Sequence, residues 1–349
     1  MIISRSFKHA STVCAVAAML AGCSVDGGSL SSGASQLASN ARPLNLAVRE
    51  SGAAPVHRYL SPSRMAPLAS RGNLLYVSDL GTDDVDVFSY PGGKQIGTLT
   101  GFSTPEGMCI NKKSDVWIAS TSNYQMVEYA HGGTSPIATL TQNNELVADC
   151  SIDQSTGDLA VSSICYVNNY HGCISPGSIA IYKKAKGNPM IFTDPSIELM
   201  YFCGYDDKGN LFVDGLSPNI FGFEFAELPK GSGTFTNITL NRVVYFPGGV
   251  KWDGKYVALG DQNAGGNQTS SIHQVAVSGA NGAVVSTTRL AGAEDVAGFW
   301  IQSSNVIAGD NGKEGGLVQF WPYPVGGSPS KNITGLSLPG GTAVSLAPL

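Results

Sequence analysis

Six short apolar segments recur along this chain at nearly even intervals. They cover residues 75–79, 116–120, 159–163, 211–214, 256–259 and 306–310, and their first residues are 41, 43, 52, 45 and 50 positions apart. Each is followed by an aromatic-rich segment of alternating polarity, a Gly- or Pro-rich turn and a further strand-like segment. A four-stranded unit that repeats about every 40 to 50 residues is typical of a β-propeller blade.

The order of the repeats also indicates how the ring closes. We letter the strands of each unit A to D, from the centre outward. The first unit lacks a strand A before Asn73, whereas a spare strand-like segment, 341–346, follows the sixth unit. We therefore predict an all-β, six-bladed β-propeller of four-stranded blades over residues 59–349, closed by pairing of the C-terminal strand into the first blade. A strand pair within residues 59–72 would instead give seven blades.

The composition suits many short strands joined by tight turns. Only 13% of the 349 residues are charged, and the chain contains 43 Gly and 18 Pro, which argues against a helical or disordered protein. The formal net charge is −5 and no basic block is present. The sequence therefore predicts no nucleic-acid partner.

The N-terminus has the proportions of an export signal. Within residues 1–22, Arg5 and Lys8 precede an apolar run that is too short for a stable membrane-spanning helix. The four residues that end in Cys23, Leu-Ala-Gly-Cys, resemble a bacterial lipobox. The resemblance implies a signal peptide over 1–22, acylation of Cys23 and a lipoprotein held at the outer membrane or cell surface. An ordinary secretory signal is the alternative.

The segment after the signal is expected to be a spacer. Residues 23–58 begin with the lipidated cysteine and are rich in Ser, Gly and Ala without a periodic pattern. Such a composition is typical of a flexible tether.

Five cysteines follow the tether. Cys165 and Cys173 bracket an insertion in the third unit, and export would permit a disulfide between them. A metal site is the alternative, although the spacing fits no zinc pattern. Cys109, Cys150 and Cys203 fall on predicted A strands, where we expect buried thiols that pack as small apolar residues. An odd number leaves at least one cysteine unpaired.

Acidic residues recur in the predicted D–A connections, which should meet at one mouth of the central channel. A ring of carboxylates there could bind Ca²⁺ or another divalent cation, with the candidate ligands Glu106, Asp149, Glu198 and Asp295. In the catalytic version of this hypothesis, Glu106 and Glu198 act with His171 as a base. The alternative is that these carboxylates only accept hydrogen bonds from turn amides or face solvent.

The predicted B–C loops open on the same face and supply candidates for ligand contact. These are Asp79, Tyr124, Tyr166, Tyr170, Asp261 and Asp310. Because Asp and Gly are also common in tight loops, turn formation is the competing interpretation. His171 is the only histidine expected on this face, since His131 is predicted on the opposite face and His273 within a strand.

The repeats resemble those of NHL-repeat and SMP-30/gluconolactonase-like propellers. The likeness lies in the aliphatic-aromatic-aliphatic B strand, the Asp-x-x-Gly-Asn type of turn and the Tyr-x-x-Gly-Gly hairpin, over roughly residues 59–349. It implies a six-bladed fold of the kind found in uncharacterised bacterial lipoproteins. Such propellers include binding proteins, lactonases and lyases, so the resemblance does not select a function.

Together these features predict a lipid-anchored, extracytoplasmic propeller that acts as a non-catalytic binding or scaffold module. Its partner would be an envelope protein, a peptide or a glycan, and we expect a monomer that requires no cofactor. The alternative is a metal-dependent lactonase-like hydrolase or lyase with its site at the channel mouth.

Overall fold

The structure, a computed structural model, describes residues 61–168, 171–219, 222–266, 269–312 and 316–348. They belong to a unit that spans Tyr59–Leu349. The predicted signal peptide, Cys23, the tether and Tyr170 lie outside the described residues. Within those residues, no helix has the length and apolar character needed to cross a membrane.

Six antiparallel sheets form the blades of a propeller, which confirms the predicted fold class. The strands of blades 1 to 3, from A to D, are as follows. Blade 1 contains β26 (Pro339–Ser345), β2 (Leu74–Asp79), β3 (Asp84–Ser89) and β4 (Gln95–Leu99). Blade 2 contains β5 (Pro105–Ile110), β6 (Val116–Ser120), β7 (Gln125–Tyr129) and β8 (Pro136–Thr141). Blade 3 contains β9 (Glu145–Ile152), β10 (Leu159–Asn168), β11 (His171–Tyr182) and β12 (Met190–Phe192).

The remaining blades follow the same order. Blade 4 contains β13 (Leu199–Tyr205), β14 (Leu211–Leu216), β15 (Phe223–Leu228) and β16 (Thr236–Asn237). Blade 5 contains β18 (Pro247–Trp252), β19 (Val257–Asp261), β20 (Ser271–Ser278) and β21 (Asn281–Arg289). Blade 6 contains β22 (Phe299–Gln302), β23 (Asn305–Asp310), β24 (Gly316–Pro322) and β25 (Lys331–Leu336). Two-residue strands, β1 (Arg64–Met65) and β17 (Thr239–Leu240), extend the outer edges of blades 1 and 5.

The last strand of the chain closes the ring as predicted. β26 pairs antiparallel with β2, with Val344 opposite Leu75 and Ala343 opposite Tyr76. Blade 1 is therefore built from both ends of the propeller. Between residue 61 and β2 the structure has one strand, β1, which pairs with β4, so the described residues form six blades and not the seven considered as an alternative.

The core lies between neighbouring blades. The cluster between blades 1 and 2, for example, joins Leu74 and Tyr76 of β2 to Met108 of β5 and Ile118 of β6, all fully or almost fully buried. Each B strand is buried on both faces because it lies in the middle of a sheet packed between two others. This explains why the B strands read as nearly continuous apolar runs.

Two inner strands begin earlier than the sequence pattern predicts. Glu106 lies in β5 and Asp149 lies in β9, rather than in D–A loops. Asp149 pairs with Ser162 in the adjacent strand. Likewise Tyr166, predicted in a loop, lies in β10 and pairs with Glu145. Strand starts are predicted from the alternation of polar and apolar residues. The polar residues within these A strands interrupt that pattern, so the strands were predicted to start too late.

The structure pairs four of the five described cysteines. Cys165 and Cys173 form a disulfide, as the sequence analysis proposed. A second disulfide joins Cys109 of β5 to Cys150 of β9, with their Cα atoms 5.6 Å apart. The expectation that Cys109 and Cys150 are separate buried thiols was therefore wrong, because adjacent inner strands bring them together. Cys203 is a buried thiol.

Candidate functional site

The antiparallel order gives the propeller two different faces. We call the face formed by the B–C and D–A connections the B–C face, and the opposite face, formed by the A–B and C–D turns, the A–B face. Strand B runs toward the B–C face, so its last residues lie there. This geometry fixes the face on which each candidate residue lies.

Three of the predicted ligand-face residues are buried supports for the D–A loops. Asp79, Asp261 and Asp310 each end a B strand and are 1%, 1% and 4% exposed. Their carboxylates accept hydrogen bonds from backbone amides, so the negative charge is solvated by the protein itself. The structure therefore does not present these three residues on the surface as ligand contacts, and it matches the turn-forming alternative.

Each of these carboxylates holds the loop that leads into its own blade. Asp79 accepts from Leu338 at 2.8 Å and from Ser337. Asp261 accepts from the amides of Tyr245, Phe246 and Asn263 at 3.0–3.2 Å.

Asp310 does the same in blade 6. It accepts from Glu294, Asp295 and Gly312 at 3.0–3.1 Å. We refer to Asp79, Asp261 and Asp310 as the clamp aspartates.

Blades 2 to 4 carry smaller residues at the clamp position. Ser120 accepts from the Ser103 amide at 3.0 Å, and Ser163 donates to Gln142 Oε1 at 3.0 Å. Gly215 in blade 4 has no room for a side chain, since a Cβ there would collide with the Leu199 carbonyl oxygen. The residue at the clamp position, and the way in which the D–A loop is supported, therefore differ from blade to blade.

A buried polar cluster, which sequence reasoning only partly anticipated, fills the centre of the ring. Asp149 of β9 accepts a hydrogen bond from Lys251 of β18 at 3.1 Å, an ion pair between blades 3 and 5. Asp214 of β14 accepts from the amides of Phe202 and Gly248 at 3.0 and 3.1 Å, and so links blades 4 and 5. Lys251 and Asp214 were missed because a single charged residue in an apolar strand carries no recognisable motif.

Glu106 is a buried acid of this cluster whose pKa is strongly raised. Burial, with a further contribution from the nearby Asp149 carboxylate, raises the pKa of Glu106 from 4.5 to about 8. Its Oε1 atom is buried and has no hydrogen-bond partner among the described residues. Burial also raises the pKa of Asp149, against the opposing effect of Lys251. The pKa of Asp214 is raised well above its usual value, again mainly by burial.

The four predicted metal ligands do not form one group. Only Glu106 and Asp149 are neighbours in the centre, and the Lys251 ammonium group already compensates the charge of Asp149. Glu198 is half-buried at the entrance to blade 4, and Asp295 lies in a loop held by Asp310. Over the described ranges, no three or more His, Cys, Asp or Glu side chains are placed to share a metal ion.

His131 and His273 are buried, and each contacts polar groups of the protein. His131 lies in the C–D turn of blade 2, on the A–B face as predicted, and contacts Ser345 Oγ at 2.6 Å and the Gly72 carbonyl oxygen at 2.9 Å. Burial lowers the pKa of His131. His273 lies within β20, as predicted, and contacts Thr287 Oγ1 at 2.9 Å. His171 begins β11, at the tip of the blade 3 hairpin.

Blade 3 carries the most prominent feature of the B–C face. β10 and β11 have 10 and 12 residues, whereas the B and C strands of the other blades have 5 to 8. The Cys165–Cys173 disulfide crosses this hairpin, which we call the blade 3 hairpin. On its β11 side the run from Cys173 to Pro176 is exposed, and Ile174 is 50% exposed.

The base of the blade 3 hairpin is held by neighbouring loops. Val167 donates its amide to the Asn144 carbonyl oxygen at 2.8 Å, and Tyr166 Oη lies 3.4 Å from Asn144 Nδ2. Gly177 donates to the Glu198 carbonyl oxygen at 2.8 Å. Tyr166 is half-buried, as is Tyr124 in blade 2, which lies on the same face. These contacts hold the described residues at the base of the hairpin in place on this face.

Comparison with known proteins supports the fold. No family model matches the chain, and no curated protein matches its sequence. Among solved structures, the chain is similar to one described as "Crystal structure of Nidogen/Laminin Complex", with a TM-score of 0.61, 10% identity and coverage of 80% of this chain and 100% of that one. In all, 1121 solved chains match, so the β-propeller architecture is shown but the likeness does not select a function. Membership of the NHL or SMP-30 families stays a prediction.

Proposed function

We propose that this chain is a lipid-anchored, extracytoplasmic β-propeller that acts as a binding or scaffold module. Its partner, an envelope protein, peptide or glycan, docks on the B–C face at blade 3. The observation that carries the proposal is the blade 3 hairpin, which places exposed Ile174 on a disulfide-crossed projection. Apolar side chains on a preorganised loop are typical of binding sites, because little entropy is lost when they are covered.

The state of the clamp aspartates and of Asp149 also favours a binding module over an enzyme that uses these carboxylates. The clamp aspartates accept hydrogen bonds from backbone amides, and Asp149 is paired with Lys251. A general base needs an accessible atom near the proton that it removes. These carboxylates instead face amides or an ammonium group inside the protein.

The proposed location rests on the sequence and on the cysteines. Two disulfides join four of the five described cysteines, and such bonds persist in oxidising compartments outside the cytoplasm. One solved structure that is similar to this chain is described as a nidogen/laminin complex, which is compatible with a propeller that binds other proteins. Acylation of Cys23 is expected to add the membrane anchor.

Site-specific photo-crosslinking in cells that make the full chain tests the proposal. A photoreactive residue replaces Ile174 in one variant and Val285, equally 50% exposed on β21, in a second. We expect one discrete crosslinked species from position 174 and none from position 285, and we expect Tyr166→Ala to reduce its yield. The same species from both positions, or none from position 174, would refute a docking site at the blade 3 hairpin.

The metal-dependent hydrolase or lyase is kept as the competing hypothesis with its own test. Thermal unfolding is measured after EDTA treatment and again with added Ca²⁺, Mg²⁺, Mn²⁺ or Zn²⁺. A metal that binds only the folded protein at about 100 times its Kd stabilises it by roughly 2.7 kcal/mol. A rise in melting temperature with one ion that is lost in Glu106→Gln or Glu198→Gln would favour the enzyme. No rise in melting temperature with any ion would favour the binding module.

A further inference from the structure

Lysine is distributed unequally between the two faces. Ten of the eleven lysines in the described residues lie in or beside the A–B and C–D turns, and the eleventh is Lys251 in the centre. The ten are Lys94, Lys112, Lys113, Lys183, Lys184, Lys186, Lys208, Lys230, Lys255 and Lys331. The A–B turns also contain six aspartates, so the lysines of this face outnumber them: Asp115, Asp153, Asp158, Asp206, Asp207 and Asp253. A chain with a formal net charge of −5 therefore has one face on which cations are concentrated.

The densest group of these lysines is the C–D turn of blade 3. Lys183, Lys184 and Lys186 are exposed, and none has a carboxylate within 4.0 Å among the described residues. The backbone of this turn is unusual, since Lys184 and Ala185 have φ values of +50° and +52°. Two consecutive non-glycine residues in this region cost conformational energy. The turn thus exposes three cations to solvent in a backbone conformation that costs energy.

The aspartates on the same face are mostly directed into their own turns. Asp206 accepts the amides of Lys208 and Asn210 at 2.9 and 2.8 Å, and Asp253 accepts those of Lys255 and Tyr256. Asp158 accepts the amide of Lys184 at 2.9 Å. Nine of the ten lysines are exposed, although Lys230 also lies 3.7 Å from the Asp153 carboxylate. Among the aspartates of the described A–B turns only Asp207 is exposed, so the outermost charges on this face are mainly positive.

Exposed apolar side chains accompany the lysines. Of nine large apolar side chains that are prominently exposed in the described part of the chain, six lie in or directly beside the turns of the A–B face. They are Leu68, Ile137, Met190, Ile191, Val325 and Leu346. Met190 and Ile191 follow the blade 3 lysines, and Val325 in the C–D turn of blade 6 is 83% exposed. Exposed apolar groups among cations are typical of surfaces that bind lipid headgroups and insert shallowly into a bilayer.

We propose that the A–B face docks onto the surface of an anionic lipid bilayer. Lysines near such a surface contribute through long-range attraction, and their flexible point charges need no fixed ligand geometry. Scattered apolar side chains add shallow insertion, which a soluble polyanion could not accommodate. The orientation would leave the B–C face and the blade 3 hairpin turned away from the lipid. The inference does not depend on the proposed partner or on acylation of Cys23.

Vesicle sedimentation tests this proposal on a chain of residues 24–349. Because the ring closes within residues 64–345, removal of the first 23 residues leaves it whole and eliminates any contribution from leader or acyl groups. Vesicles contain phosphatidylcholine alone or with about 30% phosphatidylglycerol, at low and high salt. We expect binding only to the anionic vesicles at low salt, because salt screens the attraction.

A charge-matched pair of variants locates the binding surface. Lys183→Gln/Lys184→Gln/Lys186→Gln should weaken partition onto anionic vesicles about 100-fold, at roughly 1 kcal/mol per lysine. Arg64→Gln/Arg242→Gln/Arg289→Gln removes the same charge from exposed arginines outside the A–B turns and should retain binding within about threefold. Met190→Ser/Val325→Ser should weaken binding about tenfold without changing its salt dependence.

Three results would overturn the inference. One is no binding of the unmodified chain to anionic vesicles, and another is an equal loss in the lysine and arginine variants, which would indicate a net-charge effect. The third is lysine-dependent binding to soluble heparin or polyphosphate without binding to vesicles, which would assign the face to a soluble polyanion. A photo-crosslink at Ile174 would be unaffected by each result, so this test and that of the proposed function fail separately.

Discussion

The clamp aspartates show how one carboxylate stabilises a whole loop. Each is buried and receives backbone amides from the D–A connection of its own blade. Removal of the carboxylate takes this acceptor away from the amides, and a buried donor that is left unsatisfied costs about 1–3 kcal/mol. Residue identity at this single position therefore affects the stability of the B–C face.

Asp261→Ala should lower the free energy of unfolding by about 3 kcal/mol, because it leaves the amides of Tyr245, Phe246 and Asn263 without their acceptor. Urea denaturation followed by tryptophan fluorescence measures the change. Asp207→Ala, at an exposed turn residue, is the control and should change stability by less than about 0.5 kcal/mol. Equal effects of the two substitutions would show that the clamp contributes nothing.

Glu106 should make the protein less stable as the pH rises. Because the pKa of Glu106 is about 8 in the folded protein and 4.5 in the unfolded chain, the folded state holds an extra proton between these values. The associated stability is complete below pH 4.5 and is lost as the pH rises to 8, at roughly 1.4 kcal/mol per pH unit.

Glu106→Gln removes this titration, so its melting temperature should fall less steeply between pH 5 and pH 8 than that of the unmodified chain. The raised pKa values of Asp149 and Asp214 act in the same direction in both proteins, so the difference in slope isolates Glu106. Parallel curves for the two proteins would mean that Glu106 is ionised in the folded state at pH 5.

At the residue scale, the sequence allowed the clamp aspartates to be found but not their role. Asp79, Asp261 and Asp310 end recognisable apolar strands, and both ligand contact and turn formation were consistent with that pattern. Whether such an aspartate contacts a ligand or supports a turn depends on which amides the D–A loop brings to its carboxylate. These contacts are long-range, since Leu338 donates to Asp79 from 259 residues away. Lys251 and Asp214 had no sequence signal of their own.

At the scale of elements, the cores of the B strands were predicted well and the starts of the A strands were not. B strands are buried on both faces, so their apolar runs are unbroken, and five-residue cores such as 116–120 coincide with the strand observed. A strands line a narrow centre that also accommodates Glu106 and Asp149. Their polar residues interrupt the pattern, and two strand starts were placed too late.

The Cys109–Cys150 bond could have been predicted from the repeat. The two cysteines are 41 residues apart, which is close to one repeat, and both lie on A strands. Equivalent positions in successive blades are neighbours around the channel. The prediction of separate buried thiols did not take this neighbourhood of equivalent positions into account.

The two disulfides should differ in their contribution to stability. In the chain-entropy model the cost of removing a disulfide increases with the length of the loop that it closes. The separations of 41 and 8 residues predict losses of about 4 kcal/mol for Cys109→Ala/Cys150→Ala and about 2.5 kcal/mol for Cys165→Ala/Cys173→Ala. Chemical denaturation of both double variants measures the difference.

The order of these losses is the decisive result. A smaller loss for the pair in blades 2 and 3 than for the blade 3 hairpin would contradict the loop-length argument. Limited proteolysis adds a local measure, because only the hairpin variant should become sensitive to cleavage between residues 165 and 176.

At the scale of the whole molecule, the ring depends on β26. This strand supplies the inner edge of blade 1, and its neighbours on either side are β5 and β22 of other blades. Thr342 Oγ1 donates to the Ile307 carbonyl oxygen of blade 6 at 2.8 Å, and Ser78 Oγ donates to the Glu106 carbonyl oxygen of blade 2 at 2.8 Å. Closure therefore involves three blades at once.

A chain that ends at Leu338 should fail to form the closed ring, because β2 would expose an unpaired inner edge to solvent. Size-exclusion chromatography and circular dichroism should show aggregates or an expanded species. A chain that ends at Ser345 is the matched control and should remain compact, because it retains all of β26. It loses the hydrogen bond from the Ala347 amide to the Asn73 side chain. A compact monomer from the shorter chain would show that five blades and an open sheet suffice.

The pairing of β26 with β2 also has a consequence for the order of events during synthesis. A ribosome makes β2, β3 and β4 at the beginning of the propeller and the inner strand of blade 1 at its end, so that Gly341 is made 263 residues after Ser78, its hydrogen-bond partner in β2. Until residues 339–345 have been made, no nascent chain can complete the ring, whatever its other blades have formed. The first blade therefore stays open on its inner side while the other five blades are synthesised, and the ring closes only when β26 pairs with β2.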